Sequence, residues 1–483
     1  MQNWLTKRVD LSPQQTALVV DDQRLTFEEL QTEVLSLAEQ LAMVLDDNPR
    51  VGLLTNNSKV GYELILALQQ LGRQVVLLNN RLSSVELAYQ LQDARVSQVL
   101  MDDNASQVLS DVTTITFSEI LSAGHQAVVP IDNFDLDAVT TIMYTSGTTG
   151  KPKGVQQTFG NHFYSAIGSM LNLGLSADDS WLATVPIFHI SGLSIMMRSL
   201  IYGIPVYLFE RFDAPKIHAC LMQGMVTTIS VVPTMLKELL AQLSTGERYP
   251  VHFKTMLLGG GPTDLKTLKQ AQAAGVNIVQ SYGMTETASQ IIALDPKDAK
   301  RKVGSVGKPL FPVELKIKNP DEHGIGRVQV KSPTLTVGYL NQAQKYEDSF
   351  DDGWFDTGDM GYLDDEQFLF LAGREGDMIS SGGENIFPDE VEAVYRELPA
   401  VKEIAVVGVP DERWGQQPVA IVELADYQHI SAAELQAYGR SQIAHYKVPR
   451  HFYQLVDDWP KTASGKIQRF QLRQQLSQLS ELD

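Results

Sequence analysis

The segment Tyr144-Thr145-Ser146-Gly147-Thr148-Thr149-Gly150-Lys151-Pro152-Lys153-Gly154 combines what a polyphosphate needs: three glycines that expose backbone N–H groups, four aliphatic hydroxyls and two ammonium groups. It follows a predicted strand near 138–144. A Walker A loop would need Gly at 145 and Ser or Thr at 152, where Thr145 and Pro152 stand, so the phosphate chemistry is of another design. A solvated surface loop is the plainer alternative for the same residues.

Six further segments carry groups of the right type. Phe188-His189-Ile190-Ser191-Gly192 sets an imidazole among apolar residues, suited to walling or gating an acyl pocket with Ser191 as a polar contact, or to a satisfied core histidine. Gly259-Gly260-Gly261-Pro262 follows a strand ending at Leu258; a flat ring can lie on such bare backbone, and a tight strand–helix turn asks for the same residues. Tyr282-Gly283-Met284-Thr285-Glu286 ends another strand. There Tyr282 can stack on a purine, Thr285 can hold a phosphate and Glu286 is a hard oxygen ligand for Mg²⁺, although acidic residues also favour helix starts. Asp359 in Asp356-Thr357-Gly358-Asp359 can accept both hydroxyls of a ribose, or merely close an Asx-turn. Arg374, in Gly373-Arg374-Glu375-Gly376-Asp377, can reach the same ribose, with Gly376 free to take up hinge torsion. Lys466 follows Gly465 near the C-terminus, either presented on a turn or part of a solvated charged tail.

Groups so far apart in sequence need a scaffold to bring them together. From residue 26 onward the pattern alternates helix and strand. Thr26 with Glu29 and Ser83 with Glu86 are capping boxes, and Leu30, Val34, Leu37, Ala38 and Leu41 form one apolar helix face. Strands are predicted at 51–54, 74–78, 96–101, 138–144, 181–185, 206–209, 228–232, 255–258 and 278–281. Such alternation implies parallel sheets covered on both faces. Shorter antiparallel strands are expected at 313–317 and 326–330. A Gly-, Asp- and Ser-dense stretch at 351–385 marks a change of domain. The predicted architecture is α/β: a large N-terminal domain of several subdomains, residues 1–372, and a small mobile α+β domain, residues 373–483.

The 483 residues exceed what one core serves, and 43% hydrophobic with 20% charged residues is globular rather than disordered composition. A net charge of −19 argues against nucleic acid and anionic membranes as partners. No apolar run reaches the ~20 residues of a membrane span, and no signal peptide is expected at the N-terminus. The single cysteine, Cys220, excludes an internal disulfide and fits a reducing cytoplasm.

In this order and spacing the segments resemble the adenylate-forming superfamily of acyl-CoA synthetases, peptide-synthetase adenylation domains and luciferases, along nearly the whole chain. The runs Gly154-Val155-Gln156-Gln157-Thr158-Phe159-Gly160-Asn161-His162, Phe188 to Ser194 and Ser281 to Gln290 are most similar to its o-succinylbenzoate–CoA ligase subfamily. The resemblance implies ATP, Mg²⁺ and coenzyme A as cofactor and co-substrates of a carboxylic acid. It implies Lys466, Thr285 and His189 as the catalytic set. Nucleotide binding would fall to Thr145, Ser146, Gly147, Thr148, Thr149, Gly150, Lys151, Lys153, Gly259, Gly260, Gly261, Tyr282, Gly283, Asp359 and Arg374. Glu286 would hold the metal. His189, Ser191, Ser289 and Gln290 would contact the acid, with Thr285 and Arg198 as further candidates for the far end of a dianion. Many superfamily members carry Asp or Lys where this chain has Gly376. A synthetase for another acid, an enzyme loading a carrier protein, and a non-catalytic nucleotide sensor are the competing readings, and a homodimer is compatible with all of them.

Overall fold

A computed structural model describes the chain except residues 22, 146–151, 261, 262, 264, 296, 300, 382, 383, 412, 413, 427, 444, 457 and 462–464. The expected helix starts form because their caps do. Thr26 and Glu29 exchange both capping-box hydrogen bonds ahead of helix Phe27–Val44, and Ser83 and Glu86 do so ahead of helix Ser84–Ala94. The stripe Leu30, Val34, Leu37, Ala38 and Leu41 is buried. At the centre Phe134 stacks on Phe159 at 4.0 Å, with Trp4 edge-on to both.

Two large sheets carry the N-terminal part. One has seven strands, in the order Gly338–Tyr339, Lys153–Thr158, Val139–Thr145, Gln74–Leu78, Arg50–Leu54, Gln98–Met101 and Thr113–Thr116. Its last five strands are parallel, and Lys153–Thr158 runs antiparallel to Val139–Thr145. The other has nine strands. Its inner run, Ile278–Met284, Thr255–Leu258, Thr228–Val231, Trp181–Ala183, Val206–Leu208 and Thr16–Val20, is parallel. A smaller sheet adds the antiparallel pair Glu314–Lys318 and Gly326–Lys331, close to the expected bounds.

One boundary differs from expectation. The strand at Ile278 does not stop at Ser281 but continues to Met284, because its last four residues pair antiparallel with Ser289–Ala293. That pairing accounts for Gly283: a Cβ there would lie 2.1 Å from the Ser289 carbonyl oxygen. Glycine at 283 is thus a requirement of strand contact, whatever else passes over it.

Strand Leu369–Arg374 still pairs within the smaller sheet, with Trp354–Leu363. After the turn Glu375–Asp377, strand Ile379–Ser381 joins a six-stranded sheet built wholly from later residues. That sheet has a core on each face, one around Tyr395 and Phe452, the other around Ile421 and Leu472. In the turn, Glu375 accepts from Arg327 of the smaller sheet, and Asp377 pairs with Arg469 at 3.2 Å. Among the described residues no helix is long and apolar enough to cross a membrane.

Candidate active site

A cavity of about 1870 Å³ opens where the C-terminal unit faces the two large sheets. Strand ends and the loops after them supply its walls, as expected of α/β sheets. It is lined by Thr145, Lys153, His189, Gly260, Tyr282, Gly283, Thr285, Glu286, Asp359 and Arg374 from the large part, and by Lys466 from the tail. Residues from more than three hundred positions of sequence therefore meet at one place.

Asp359 is the most constrained of them. It is buried, and strand register sets it directly opposite Arg374. Arg374 Nε lies 2.7 Å from its Oδ1, and Tyr282 Oη donates to its Oδ2 at 2.6 Å. Arg374 also donates to the Thr357 carbonyl at 3.1 Å, and Thr357 Oγ1 accepts the Asp359 N–H. Burial pushes the Asp359 carboxyl above its ordinary pKa, opposed chiefly by Arg374. Burial, then the Asp359 charge, pushes the Tyr282 phenol well above its own. Tyr282 is thus a fixed neutral donor. Each carboxylate oxygen keeps acceptor capacity beyond the one bond it makes here.

Glu286 sits in the turn Thr285–Thr287 and is also buried. Its Oε1 lies 2.9 Å from Lys153 Nζ and accepts from Tyr339 Oη at 3.0 Å; the ammonium rests 3.9 Å from the Tyr339 ring centroid. Lys153, expected to serve phosphates, thus first serves the carboxylate expected to hold metal. No group of three or more His, Cys, Asp or Glu side chains able to hold a metal occurs among the described residues. A single buried carboxylate fits Mg²⁺, which is held by one or two carboxylates together with substrate phosphates and water.

His189 precedes helix Ile190–Tyr202, and its buried Nε2 has no hydrogen-bond partner among the described residues. Burial, aided by Arg81 and Lys466, lowers its pKa to about 4, so the ring is neutral. Thr145 Oγ1, at the end of the strand before the phosphate loop, is a second buried polar atom without a partner among the described residues. Lys466 opens to the solvent of the cleft, yet burial and Arg374 lower its pKa, while Asp359, Asp389 and Glu286 raise it. Those four groups and His189 identify what the Lys466 ammonium faces.

Other expected site residues fall elsewhere. Ser191 is exposed and is not among the cavity-lining residues, nor are Gly259, Ser289 and Gln290. Gly192 is needed locally, since a Cβ would lie 2.2 Å from the Pro186 carbonyl oxygen. Gln290 Nε2 donates to Ser169 Oγ at 3.0 Å, and Ser289 Oγ accepts from Arg198 at 3.2 Å. Ser146, Gly147, Thr148, Thr149, Gly150, Lys151 and Gly261 lie outside the described residues. Arg198 is only 1% exposed, rests over the Trp181 ring and has no carboxylate within ion-pairing distance among the described residues. Sequence reasoning missed Tyr339 and Asp389, and no local pattern marks either.

The AMP-binding enzyme family model matches residues 5–340, and the AMP-binding enzyme C-terminal domain model matches residues 390–466. A 2-succinylbenzoate–CoA ligase of Listeria monocytogenes is 49% identical, over 99% of this chain and 100% of its own. An o-succinylbenzoate CoA synthetase of Bacillus subtilis, solved with its acyl-adenylate intermediate, superposes with a TM-score of 0.92 at 42% identity, over 98% of each chain. The same synthetase solved with ATP and magnesium gives 0.91 at 42% identity, over 98% of this chain and 99% of its own.

Proposed function

The chain belongs to the AMP-binding enzyme family, and on that premise we propose that it is an ATP-dependent o-succinylbenzoate–CoA ligase working through an acyl-adenylate in menaquinone synthesis. The observation that carries the reading is the meeting of Lys466, from the tail, with Asp359, Glu286 and His189 in one cavity. Nucleotide binding alone needs no mobile ammonium.

In the first half-reaction the acid carboxylate attacks the α-phosphorus of ATP and pyrophosphate leaves. Asp359, held by Arg374 and Tyr282, takes the ribose hydroxyls. Lys466 neutralises charge that builds between the carboxylate and the α-phosphate, and Thr285 donates to the phosphate that remains on the acyl group. Glu286 is the protein ligand for Mg²⁺, which when bound neutralises the polyphosphate oxygens. Neutral His189 walls the acyl side without setting a charge beside the attacking carboxylate. In the second half-reaction the coenzyme A thiolate attacks the acyl carbon and AMP leaves. For this the small domain, taken as residues 373–483, turns about 373–377 and withdraws Lys466.

Arg198 supports a dianionic acid. A buried cation without a counter-ion among the described residues is costly, and although neither Arg198 nor Ser289 lines the cavity, the positive charge behind its wall would favour a second carboxylate on the substrate. A reducing cytoplasm suits the buried thiol of Cys220, and sedimentation distinguishes a monomer from the homodimer.

The test is acid-dependent pyrophosphate release over a panel of acids, with and without coenzyme A. o-Succinylbenzoate should be strongly preferred, and its thioester should form only with coenzyme A. Turnover of simple benzoates or fatty acids with none of o-succinylbenzoate would overturn the assignment.

A further inference from the structure

Lys466 stands on a short excursion of the chain whose base is closed twice. Lys461 and Ile467 form an antiparallel bridge, and the Gln468 N–H donates to the Pro460 carbonyl at 2.8 Å. Gly465 adopts a left-handed φ of +83°, which turns the backbone just ahead of the lysine. These bonds close the base of the excursion on itself.

Arg469, three residues past the lysine, ties the described part of this segment outward. Its Nε and Nη2 donate to Glu392 Oε1 at 3.0 and 2.9 Å, Nη2 also donates to Asp389, and Nη1 reaches Asp377 Oδ2 at 3.2 Å. One guanidinium thus fastens the lysine's segment to helix Pro388–Tyr395 and to the turn Glu375–Asp377. Glu392 is 1% exposed and is itself fixed, accepting the Val406 N–H at 2.8 Å and Arg396 Nη2 at 2.8 Å. Its carboxylate therefore cannot shift to follow a displaced partner. Asp389 faces both cations, bonding Arg469 and raising the pKa of Lys466.

We infer that Arg469 is a positioning residue for the adenylation half-reaction: its planar fork, spread over Asp377, Asp389 and Glu392, sets where the Lys466 ammonium stands in the cavity. Only a guanidinium can satisfy three carboxylates in this arrangement, since an ammonium carries the charge without the fork. An error of about 1 Å in a catalytic group costs up to ~100-fold in rate, so loss of the fork appears in the reaction before it appears in the fold.

This inference rests on the adenylation role proposed for Lys466, and a double-mutant cycle separates the two. The variants are Lys466→Ala, Arg469→Met and their combination, each assayed for acid-dependent pyrophosphate release and for thioester formation from a premade acyl-adenylate. Arg469→Met should slow adenylation at least tenfold, leave thioester formation within about twofold, and add nothing once Lys466 is alanine. Independent, multiplying losses in the cycle, or equal losses in both half-reactions, overturn the inference for Arg469. An adenylation rate unchanged by Lys466→Ala alone overturns the underlying role of the lysine instead. If Arg469→Met fails to fold, Arg469→Lys, which keeps the charge on the buried carboxylates, carries the same cycle. It should slow adenylation several-fold, less than Lys466→Ala does, leave thioester formation within about twofold, and add nothing once Lys466 is alanine; independent, multiplying losses overturn the inference.

Discussion

Replacing Arg198 by Leu asks how far a buried, uncompensated charge serves the substrate. The guanidinium is almost wholly enclosed, and among the described residues its Nε has no partner and its hydrogen bond to Ser289 is a neutral one. At an effective dielectric of ~20, a carboxylate about 4 Å away gains about 4 kcal/mol. Truncating one member of a desolvated charge pair typically costs ~2–5 kcal/mol. A loss of about 2–4 kcal/mol corresponds to ~30- to 700-fold weaker capture of the dianion at 1.4 kcal/mol per tenfold. The assay is pyrophosphate release with o-succinylbenzoate and with a matched monoacid lacking the carboxylate that is not activated. KM should rise for the first and stay within about twofold for the second. Burial lowers the pKa of Arg198, which shows how poorly its charge is accommodated. The melting temperature should therefore hold or rise. Equal losses for both acids, or a collapse in stability, would refute the reasoning.

Lys466→Ala should reduce adenylation ~100-fold or more and spare thioester formation from premade acyl-adenylate, a contrast read directly from the two half-reactions. Asp359→Ala should raise the KM for ATP ~10- to 100-fold, since hydrogen bonds to a charged group are worth about 1.5–3 kcal/mol each; isothermal titration with ATP checks it. Glu286→Gln should shift the Mg²⁺ dependence of the rate to at least tenfold higher concentration, measured by titrating the metal at fixed ATP. His162 and His189 are both held neutral by burial, each with its pKa lowered from 6.5 to about 4. The unfolded chain binds protons first, so stability is full above pH ~6.5 and falls as the pH drops toward 4, by about 3 kcal/mol per histidine at the limit. Urea midpoints measured from pH 7 to 4.5 should fall less steeply for His162→Gln than for the native chain.

What the sequence revealed follows the range over which each feature is specified. Capping boxes at Thr26–Glu29 and Ser83–Glu86 are three-residue signals, and the structure forms both. Strand runs such as Gln74–Leu78 and Thr255–Leu258 carry their own apolar pattern and stand where expected. Asp359, Glu286 and His189 were singled out by residue type, on an expected loop, a strand end and an apolar run respectively, and they do line the cavity, with Asp359 standing inside strand Trp354–Leu363 rather than on a loop. What stayed hidden depends on pairs far apart in the chain. Lys153 and Tyr339 meet across 186 residues, and the redirection of Lys153 toward Glu286 depends on that meeting. The strand extension to Met284 needed a partner, Ser289–Ala293, that no local pattern announces. Ser191 was placed by its neighbour His189, yet the first turn of helix Ile190–Tyr202 carries it out of the cavity lining.

Glu375 and Asp377 flank Gly376, and they answer to arginines from different parts of the fold: Arg327 of the smaller sheet for the first, Arg469 at the start of helix Arg469–Gln475 for the second. Each end of the turn is therefore bolted to its own body, one to the frame and one to the leaf, with a lone glycine as the pin between. A Cβ at Gly376 would meet nothing within 4 Å, so the pin has clearance. A swing there leaves both bolts fastened and both cores shut. In the proposed rotation the cleft contacts would then be what the turn releases, and strengthening either bolt would leave the pin itself untouched.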